Sequence, residues 1–472
     1  TGRRARGGAD ARRAARTSTT VKQAGFIRRT IKPYEPFSDD QLEMIEHNAE
    51  TVLQETGIDF YEDEEAVRMW KDAGADVKAN AADPKRFRVR FPRGLVRSLI
   101  KTAPREYVQH ARNPANSVTI GGNNTVFAPV YGPPFIRNLD EGRRYATIED
   151  FRNFVKLAYL TPWLHHSGGT VCEPVDVPVN KRHLDMVAAH LRYSDKGFMG
   201  SVTHPSRAAD SIEMARIVFG AEFVDQHCVI LGNVNVNSPL VWDATMTGAL
   251  KAYAAANQAP VVVPFILGGA MGPVTNAGAV AQAHAETLVG VALGQLVRPG
   301  SPVIYGNFLS SMALRSGSPT FGTPEPALGS LVVGQLARRA GLPLRCSGAF
   351  TSSKIPDGQA MTESAVSMQA ALLCGANYIL HSAGWLEGGL TMGYEKFVMD
   401  LDLCGAAHTY LDGFHLDDDQ FALDGFHEVG PGKHFFGAQH TLRHYETAFY
   451  EPALADNNSY EQWRDAGESS TE

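Results

Sequence analysis

The chain has 472 residues, a hydrophobic fraction of 44% and a formal net charge of −7 at pH 7. This length accommodates two average domains or one large α/β barrel with additions, and the mild negative charge argues against a nucleic-acid-binding surface as the main functional feature. No run of residues approaches the ~18 consecutive apolar residues of a membrane span, and the five cysteines are dispersed without a C-x-x-C pair, which indicates a cytoplasmic protein with reduced thiols.

The N-terminal region differs in composition from the rest of the chain. Residues 1–30 begin with arginines set among Gly, Ala and Thr, and we expect a flexible Arg-rich arm there, free or lying on a neighbouring subunit. Ser38 is a suitable helix N-cap, because acidic residues follow it and apolar residues then recur at helical spacing. Residues 87–91 alternate as in an exposed strand. We therefore predict a mainly helical extension over residues 31–120.

From residue 121 onward, short apolar runs alternate with helical patterns. The helical patterns include residues 148–160, 243–257, 277–296, 326–340 and 359–373, and the strand candidates are residues 126–131, 165–171, 197–202, 228–236, 260–267, 302–308, 343–350 and 377–381. Buried strands that alternate with helices imply parallel pairing, and eight such units are the number in a closed (β/α)8 barrel. An open doubly wound sheet is the alternative, but no G-x-G-x-x-G turn follows the first strand. We predict a TIM barrel over residues 121–410 and a C-terminal cap or oligomer segment over residues 411–472.

The predicted barrel indicates where the functional residues lie, because TIM-barrel active sites form at the C-terminal ends of the strands. The glycine-rich turn at residues 268–273 also lets the backbone approach a bulky group. The candidate substrate-binding residues are Tyr131, His204, Asn235, Tyr305, Phe350, His381 and Trp385. Of these, His204 and His381 can donate a hydrogen bond to a substrate carboxylate.

The segment RCSGAFTSSKIPDGQA at residues 345–360 carries the most specific signal in the chain. It resembles the active-site strand and loop of the trimethylamine methyltransferase family, whose founding members carry pyrrolysine four residues before the lysine of an S-D-A-K-V-P-D-D-Q-A-type stretch. Four residues before Lys354, this chain has Phe350. Further matches occur in the family's order over nearly all of the chain after residue 35: HAETL at 284–288, YG at 305–306, GTPE at 322–325, GLP at 341–343, GPGKHF at 430–435 and HTLRH at 440–444.

This resemblance implies a (β/α)8 barrel, a homo-oligomer (a dimer, trimer or hexamer) and transfer of methyl groups to the Co(I) of a corrinoid on a separate small protein. The chain itself lacks a D-x-H-x-x-G cobalamin-binding signature. We therefore expect cobalamin to arrive on that partner protein, with tetrahydrofolate as a downstream acceptor. Glu286 matches a family position, which implies either a catalytic role near the bound cation or a role in holding the adjacent loop.

The phenylalanine at position 350 changes the expected substrate. A tertiary amine is a poor methyl donor until its nitrogen becomes cationic, whereas a quaternary amine such as glycine betaine already carries the charge and leaves as a neutral amine. Because a quaternary nitrogen has no N–H to donate, aromatic faces can hold it, and we expect Phe350 to form such a wall and to take part in catalysis. A substrate of the betaine type also presents a carboxylate, and Arg345, on the same predicted strand as Phe350, is a candidate to bind it. Arg345 lies five residues away, on the opposite pleat face, so we expect it instead to pair with a carboxylate outside the barrel.

The predicted function is pyrrolysine-independent demethylation of a small quaternary amine of the glycine betaine type, with cob(I)alamin on a partner corrinoid protein as the acceptor. Direct transfer to tetrahydrofolate and a sulfonium donor such as dimethylsulfoniopropionate are alternatives, and a non-catalytic betaine-binding barrel is an alternative of another class. We expect no bound metal. His440 and His444 have the spacing of a helical metal pair, but no glutamate follows His440 as in H-E-x-x-H, and a cap or subunit contact is the preferred interpretation.

Overall fold

The computed structural model describes residues 24–466 and shows a mixed α/β protein. Most of the flexible arm predicted over residues 1–30 lies outside the described range. Within residues 24–466, no helix combines the length and the apolar character needed to cross a membrane.

Helices are distributed along the whole described range. In chain order they are α1 (Asp39–Thr51), α2 (Glu64–Asp72), α3 (Leu95–Leu99), α4 (Ile148–Leu160), α5 (Arg182–Tyr193), α6 (Pro205–Phe219), α7 (Ala221–Gln226), α8 (Ala244–Ala255), α9 (Asn276–Val297), α10 (Pro324–Ala340), α11 (Gly358–Leu373), α12 (Tyr394–Asp412), α13 (Asp418–Phe421), α14 (Leu423–Val429), α15 (Gln439–His444) and α16 (Tyr460–Ala466). The five helical patterns predicted after residue 121 correspond to α4, α8, α9, α10 and α11, and the bounds of α4 agree with the prediction at both ends.

The strands of the described range lie between Ile27 and Gly393 and are interspersed with the helices. In chain order they are β1 (Ile27–Arg28), β2 (Ile58–Tyr61), β3 (Asp76–Ala79), β4 (Arg86–Arg90), β5 (Glu106–Gln109), β6 (Val118–Gly121), β7 (Asn124–Phe127), β8 (Phe135–Asn138), β9 (Gly142–Tyr145), β10 (Phe198–Met199), β11 (Ile230–Val236), β12 (Val241–Asp243), β13 (Ala259–Gly268), β14 (Ile304–Gly306), β15 (Phe308–Ala313), β16 (Ser318–Thr320), β17 (Leu344–Ser347), β18 (Tyr378–Leu380), β19 (Trp385–Leu386) and β20 (Thr391–Gly393).

The largest sheet contains a run of parallel strands in the order β7, β18, β17, β14, β13, β11 and β10. β1 pairs antiparallel with β7, and β15 extends the path of β14 by pairing with the second half of β13. Helices α8, α9, α10 and α11 make successive crossovers between these strands. Because the strands are parallel, their carboxyl ends lie at one edge of the sheet, where a substrate site is expected.

Residues 165–168 connect the two ends of this strand order. The backbone N of His165 donates to Phe127 O on β7 (3.0 Å), and Met199 N on β10 donates to Gly168 O (2.8 Å). A parallel bridge adds a further contact with the residue before β10. The strand predicted here is present only as this isolated bridge, whereas the other seven candidates overlap strands of the sheet.

The N-terminal region combines helices α1–α3 with several short strands. β12, β2, β4 and β3 form a four-stranded sheet in this order. The strand predicted at residues 87–91 is present as β4, but it is not an exposed strand, because β4 lies between β2 and β3 and the side chain of Val89 is fully buried. Ser38 caps α1 as predicted: its Oγ accepts from Gln41 N (3.4 Å), and Gln41 Oε1 accepts from Ser38 N (2.9 Å).

Helix α9 joins the N-terminal region to the large sheet. Every residue from Ala279 to Gln295 is buried, because β13 packs on one side of the helix and α1, α3, α8 and α10 cover the others. A helix that is apolar on all sides is typical of such a position.

The opposite face of the large sheet carries an apolar cluster to which no helix of the described range contributes. The members of this cluster that lie on the strands of the large sheet or directly after them include Val126, Ala128, Met199, Leu231, Ala259, Val261, Val263, Ile304, Tyr378 and Leu380. We call this the inner face. The partly buried rings of Tyr131 and Phe308 pack against it at the carboxyl edge.

Candidate active site

Five rings meet at the carboxyl edge of the large sheet, and we call them the aromatic cluster: Phe308, Phe321, Phe350, His381 and Trp385. Phe350 is at the centre, and its ring centroid lies 4.3 Å from Trp385, 4.8 Å from Phe321, 5.0 Å from Phe308 and 5.1 Å from His381. Phe350 is 5% exposed and Trp385 is 3% exposed. Closely spaced, desolvated aromatic faces can bind a cation.

The cluster forms because the strands that carry its rings are neighbours. β14, β17 and β18 are adjacent, and Phe308, Phe350 and His381 follow their last residues by one to three positions. The Nε1 of Trp385 donates to Thr351 O (3.1 Å), which connects the segment after β18 to the segment after β17. Parallel register therefore assembles the site from segments that are far apart in sequence.

His381 provides a neutral hydrogen-bond donor within this cluster. Its φ of +61° is sparsely populated for a residue other than glycine. Its Nδ1 accepts from Tyr131 N (3.1 Å), so the proton of the neutral ring is on Nε2. Burial lowers the pKa of His381 well below its ordinary value, and the nearby charge of Arg345 lowers it further. The ring is therefore uncharged at neutral pH.

Arg345 places a positive charge beside the aromatic cluster. Its side chain is 1% exposed, its Nη1 donates to Asn307 O (2.6 Å), and its Cζ lies 5.3 Å from the ring centroid of Phe308. Its Nε has no hydrogen-bond partner, and no carboxylate among residues 24–466 forms an ion pair with it. Burial lowers the pKa of the guanidinium to about 10, so it remains cationic at neutral pH.

The expectation that Arg345 pairs with a carboxylate outside the barrel is wrong. Arg345 is the register partner of Tyr378 on β18, and Tyr378 belongs to the inner-face cluster, so the guanidinium lies on that face too. The period-two count from Phe350 fails because β17 ends at Ser347, before the count reaches the phenylalanine.

Two predicted substrate-binding residues have other surroundings. The hydroxyl of Tyr305 is 3.0 Å from His284 Nδ1 on α9, so this ring lies on the helix-covered side of the sheet. His204 is exposed and caps α6, where its Nδ1 accepts from Ser206 N (3.2 Å). Neither side chain contacts the rings of the aromatic cluster in this arrangement.

Asn235 lies on the inner face of β11, where it is the register partner of Val263. Its exposed side chain accepts a hydrogen bond from Asn233 Nδ2 (3.4 Å). β13 and β14 separate this strand from β17. The structure thus brings Phe350, His381, Trp385 and the backbone of Tyr131 together, whereas Asn235 lines the same face farther along the sheet.

Glu286 directs its carboxylate at the loop between β11 and β12. Its Oε2 accepts from Ser238 Oγ (2.5 Å), and its Oε1 accepts from Leu240 N (2.6 Å) and Gln282 Nε2 (3.0 Å). Burial raises the pKa of this carboxyl above its ordinary value. Of the two roles implied by the resemblance, these contacts match the holding of the loop.

His440 and His444 on α15 lie beside Asp419, a potential third ligand that sequence reasoning missed. His444 Nε2 is 2.7 Å from Asp419 Oδ2, and the potential ligand atoms of the three residues lie within 4.8 Å of one another. Asp419 Oδ1 also accepts from Arg443 (3.1 Å). A guanidinium on the same carboxylate competes with a metal cation, so the absence of a bound metal stays a prediction.

Sequence reasoning did not include Phe308 and Phe321 in the site. Phe308 is the last residue of the sixth strand candidate, so its position at a strand end carried a signal. Phe321 directly precedes the GTPE motif, but no local pattern places this loop residue beside Phe350.

A parallel α/β sheet that carries a buried aromatic cluster at its carboxyl edge is typical of an enzyme that binds a small molecule. The family model for trimethylamine methyltransferase (MTTB) matches residues 4–472, and the chain belongs to this family of methyltransferases.

Two relatives and one solved structure illustrate the similarity. The chain is 42% identical over 434 residues to the glycine betaine methyltransferase of Desulfitobacterium hafniense strain Y51, across 92% of this chain and 89% of the relative. It is 27% identical over 457 residues to the trimethylamine methyltransferase MttB of Desulfitobacterium hafniense strain DSM 10664 / DCB-2, across 95% and 89%. The monomethylamine methyltransferase of Methanosarcina barkeri aligns with a TM-score of 0.48 and 13% identity, across 86% of this chain and 85% of that chain.

Proposed function

We propose that this protein is a pyrrolysine-independent methyltransferase that demethylates a small quaternary amine of the glycine betaine type and passes the methyl group to cob(I)alamin on a partner corrinoid protein. The observation that carries the proposal is the aromatic cluster centred on Phe350, at the position where the resemblance places pyrrolysine in other members. The 42% identity to a glycine betaine methyltransferase supports the same substrate class.

The chemistry of a quaternary amine fits these surroundings. When the C–N bond breaks, nitrogen keeps the electron pair and leaves as a neutral tertiary amine, so no acid is needed for the leaving group. The bound corrinoid would supply the Co(I) nucleophile. The residues of this chain would hold the onium group over the faces of Phe350 and its neighbours, exclude water and aim one methyl group outward. The neutral His381 adds no repulsive charge.

The proposal includes a closed (β/α)8 barrel over residues 121–410. The hydrogen bonds of residues 165–168 to both ends of the strand order support closure, and closure would turn the inner face into the barrel interior. The aromatic cluster would then lie at the mouth, where a planar corrinoid on a partner can approach. Tyr131 and Asn235 would line this mouth, and Glu286 would hold a loop beside it.

The C-terminal segment, residues 411–472, is proposed to form subunit contacts in a homo-oligomer. Phe414, Phe436 and Phe449 are 94%, 83% and 88% exposed, and concentrated apolar exposure is typical of interaction surfaces. Light scattering of the purified protein tests this, since changing these three residues to serine should lower the oligomeric mass. An unchanged mass would contradict the assignment of the interface.

A substrate panel tests the proposed function. Purified protein is incubated with cob(I)alamin and glycine betaine, trimethylamine, carnitine or dimethylsulfoniopropionate in turn, and the loss of cob(I)alamin absorbance is followed. We expect turnover with glycine betaine and none with trimethylamine. Demethylated product that forms only when tetrahydrofolate replaces cob(I)alamin, or turnover only with the sulfonium, would establish one of the alternative enzymes. Binding of betaine without turnover, even with a corrinoid protein supplied, would indicate a binding protein.

A further inference from the structure

Arg345 is a buried cation without a counterion. Its side chain is 1% exposed, its single hydrogen bond within the described range runs from Nη1 to Asn307 O, and its Nε has no partner. Burying a charge is costly unless an opposite charge or a full set of hydrogen bonds accompanies it. A guanidinium that keeps unused donors in such a place is arranged to receive an anionic group from outside the chain.

The position of this guanidinium relative to the aromatic cluster indicates which anion. The Arg345 Cζ lies 5.3 Å from the Phe308 ring centroid, and the Phe308 ring lies 5.0 Å from that of Phe350. Arg345 lies on the inner face, and the ring of Phe308 packs against this face. A position that can bind an anion therefore lies close enough to a position that can bind an onium group for one small molecule to occupy both.

We propose that Arg345 binds the carboxylate of the substrate and thereby selects zwitterionic quaternary amines over purely cationic ones. The inference rests on the proposed function and adds the residue that determines specificity. In glycine betaine a single methylene separates the ammonium from the carboxylate. The carboxylate would accept from the free guanidinium donors while the onium methyl groups contact Phe308 and Phe350.

The same charge acts against the wrong ligands. A cation without a carboxylate, such as tetramethylammonium, meets the aromatic faces but is repelled by the guanidinium, and it leaves the guanidinium donors unpaired. Longer zwitterions such as carnitine place the carboxylate farther from the ammonium and match this spacing less well. The selected class is therefore a quaternary amine with its carboxylate one methylene away.

Calorimetric titration with glycine betaine and tetramethylammonium tests the inference. Wild-type protein should bind glycine betaine on the order of 10- to 100-fold more tightly than tetramethylammonium, because charged hydrogen bonds are involved. Arg345→Met should weaken glycine betaine binding by a similar factor and leave tetramethylammonium binding unchanged or stronger. Arg345→Lys, which keeps the charge but loses the planar donors, should lie between.

Arg29 offers a matched control because it is also a buried arginine. It is 8% exposed and donates to Gly122 O (2.9 Å) and Asn123 O (3.3 Å), at the opposite end of β7 from the cluster. Arg29→Met should lower stability without changing the preference between the two ligands. A shift of both affinities by the same factor in Arg345→Met would indicate a structural role and overturn the inference.

If Arg345→Met does not fold, the affinities of the wild-type protein for the two ligands still test the role of Arg345. Equal affinity of the wild type for glycine betaine and tetramethylammonium, together with demethylation of both, would overturn the role of Arg345 and leave the proposed function intact. Failure to bind or demethylate either ligand would instead overturn the proposed function.

Discussion

Replacing Phe350 with alanine removes the ring that contacts the other four members of the aromatic cluster. Loss of one cation–π face from a desolvated site costs about 1–2 kcal/mol, which corresponds to a roughly 5- to 30-fold loss of affinity for glycine betaine. Because Phe350 is 5% exposed, the alanine variant should also lose about 3–5 kcal/mol of folding stability. Phe350→Tyr keeps the ring face and should bind nearly as well as the wild type.

Two measurements on a matched pair of variants separate these effects. Phe151 is fully buried and contacts His190 rather than the cluster, so Phe151→Ala should lose comparable stability without losing affinity. Titration calorimetry gives the affinity of each folded variant, and thermal melts give its stability. Unchanged betaine affinity in folded Phe350→Ala protein would refute the assignment of this ring to the substrate site.

Three further predictions concern the rest of the chain. Burial lowers the pKa of His190 to about 4, whereas in the unfolded chain this histidine has its ordinary pKa of about 6.5. Between about pH 6.5 and pH 4 the unfolded chain therefore binds a proton that the native state does not bind. The folding stability is lost as pH falls through this range, by up to ~1.4 kcal/mol per pH unit. His190→Gln should reduce that slope in urea melts at pH 4.5–6.5, and an unaltered slope would contradict the buried neutral assignment. Lys396 and Asp400 form a fully buried ion pair, with Lys396 Nζ 2.6 Å from Asp400 Oδ2. Lys396→Met should lower the free energy of unfolding by about 3–5 kcal/mol because it leaves a buried carboxylate unpaired, and Lys396→Met/Asp400→Leu should lower it much less, as denaturant melts can measure. Metal analysis of protein purified without chelators should find no stoichiometric zinc, and one zinc per chain that disappears in His440→Ala or His444→Ala would contradict the cap interpretation.

Local signals in the sequence were sufficient for the five helical patterns and for seven of the eight strand candidates after residue 121. Helix α4 agrees with its predicted bounds because its N-cap Thr147 directly precedes it and its apolar spacing lies within the helix, so both signals are local in sequence. β17 shows the limit of such signals: the strand ends at Ser347, which no periodicity indicates, and the face of Arg345 was consequently misassigned. Strand pairing decides that face, and pairing is a property of the whole sheet.

The site was less predictable than the fold for the same reason. Phe350 stands out through its motif, but Phe308 and Phe321 reach it only through the register of β14, β15 and β17 and the path of a loop. Tyr305 belongs to the YG motif at a strand end, yet its hydroxyl contacts His284 on the helix-covered face of the sheet. A strand end places two neighbouring residues on opposite faces, so a shift of one residue separates a site residue from a packing residue.

In the proposed reaction a methyl group passes from a quaternary amine to cob(I)alamin. Mass spectrometry of glycine betaine with deuterated N-methyl groups, incubated with the protein and cob(I)alamin, tests it most directly. We expect dimethylglycine in amounts equal to the cob(I)alamin consumed, with the lost label on the corrinoid. Recovery of intact betaine from folded protein supplied with both cob(I)alamin and a corrinoid protein would contradict it.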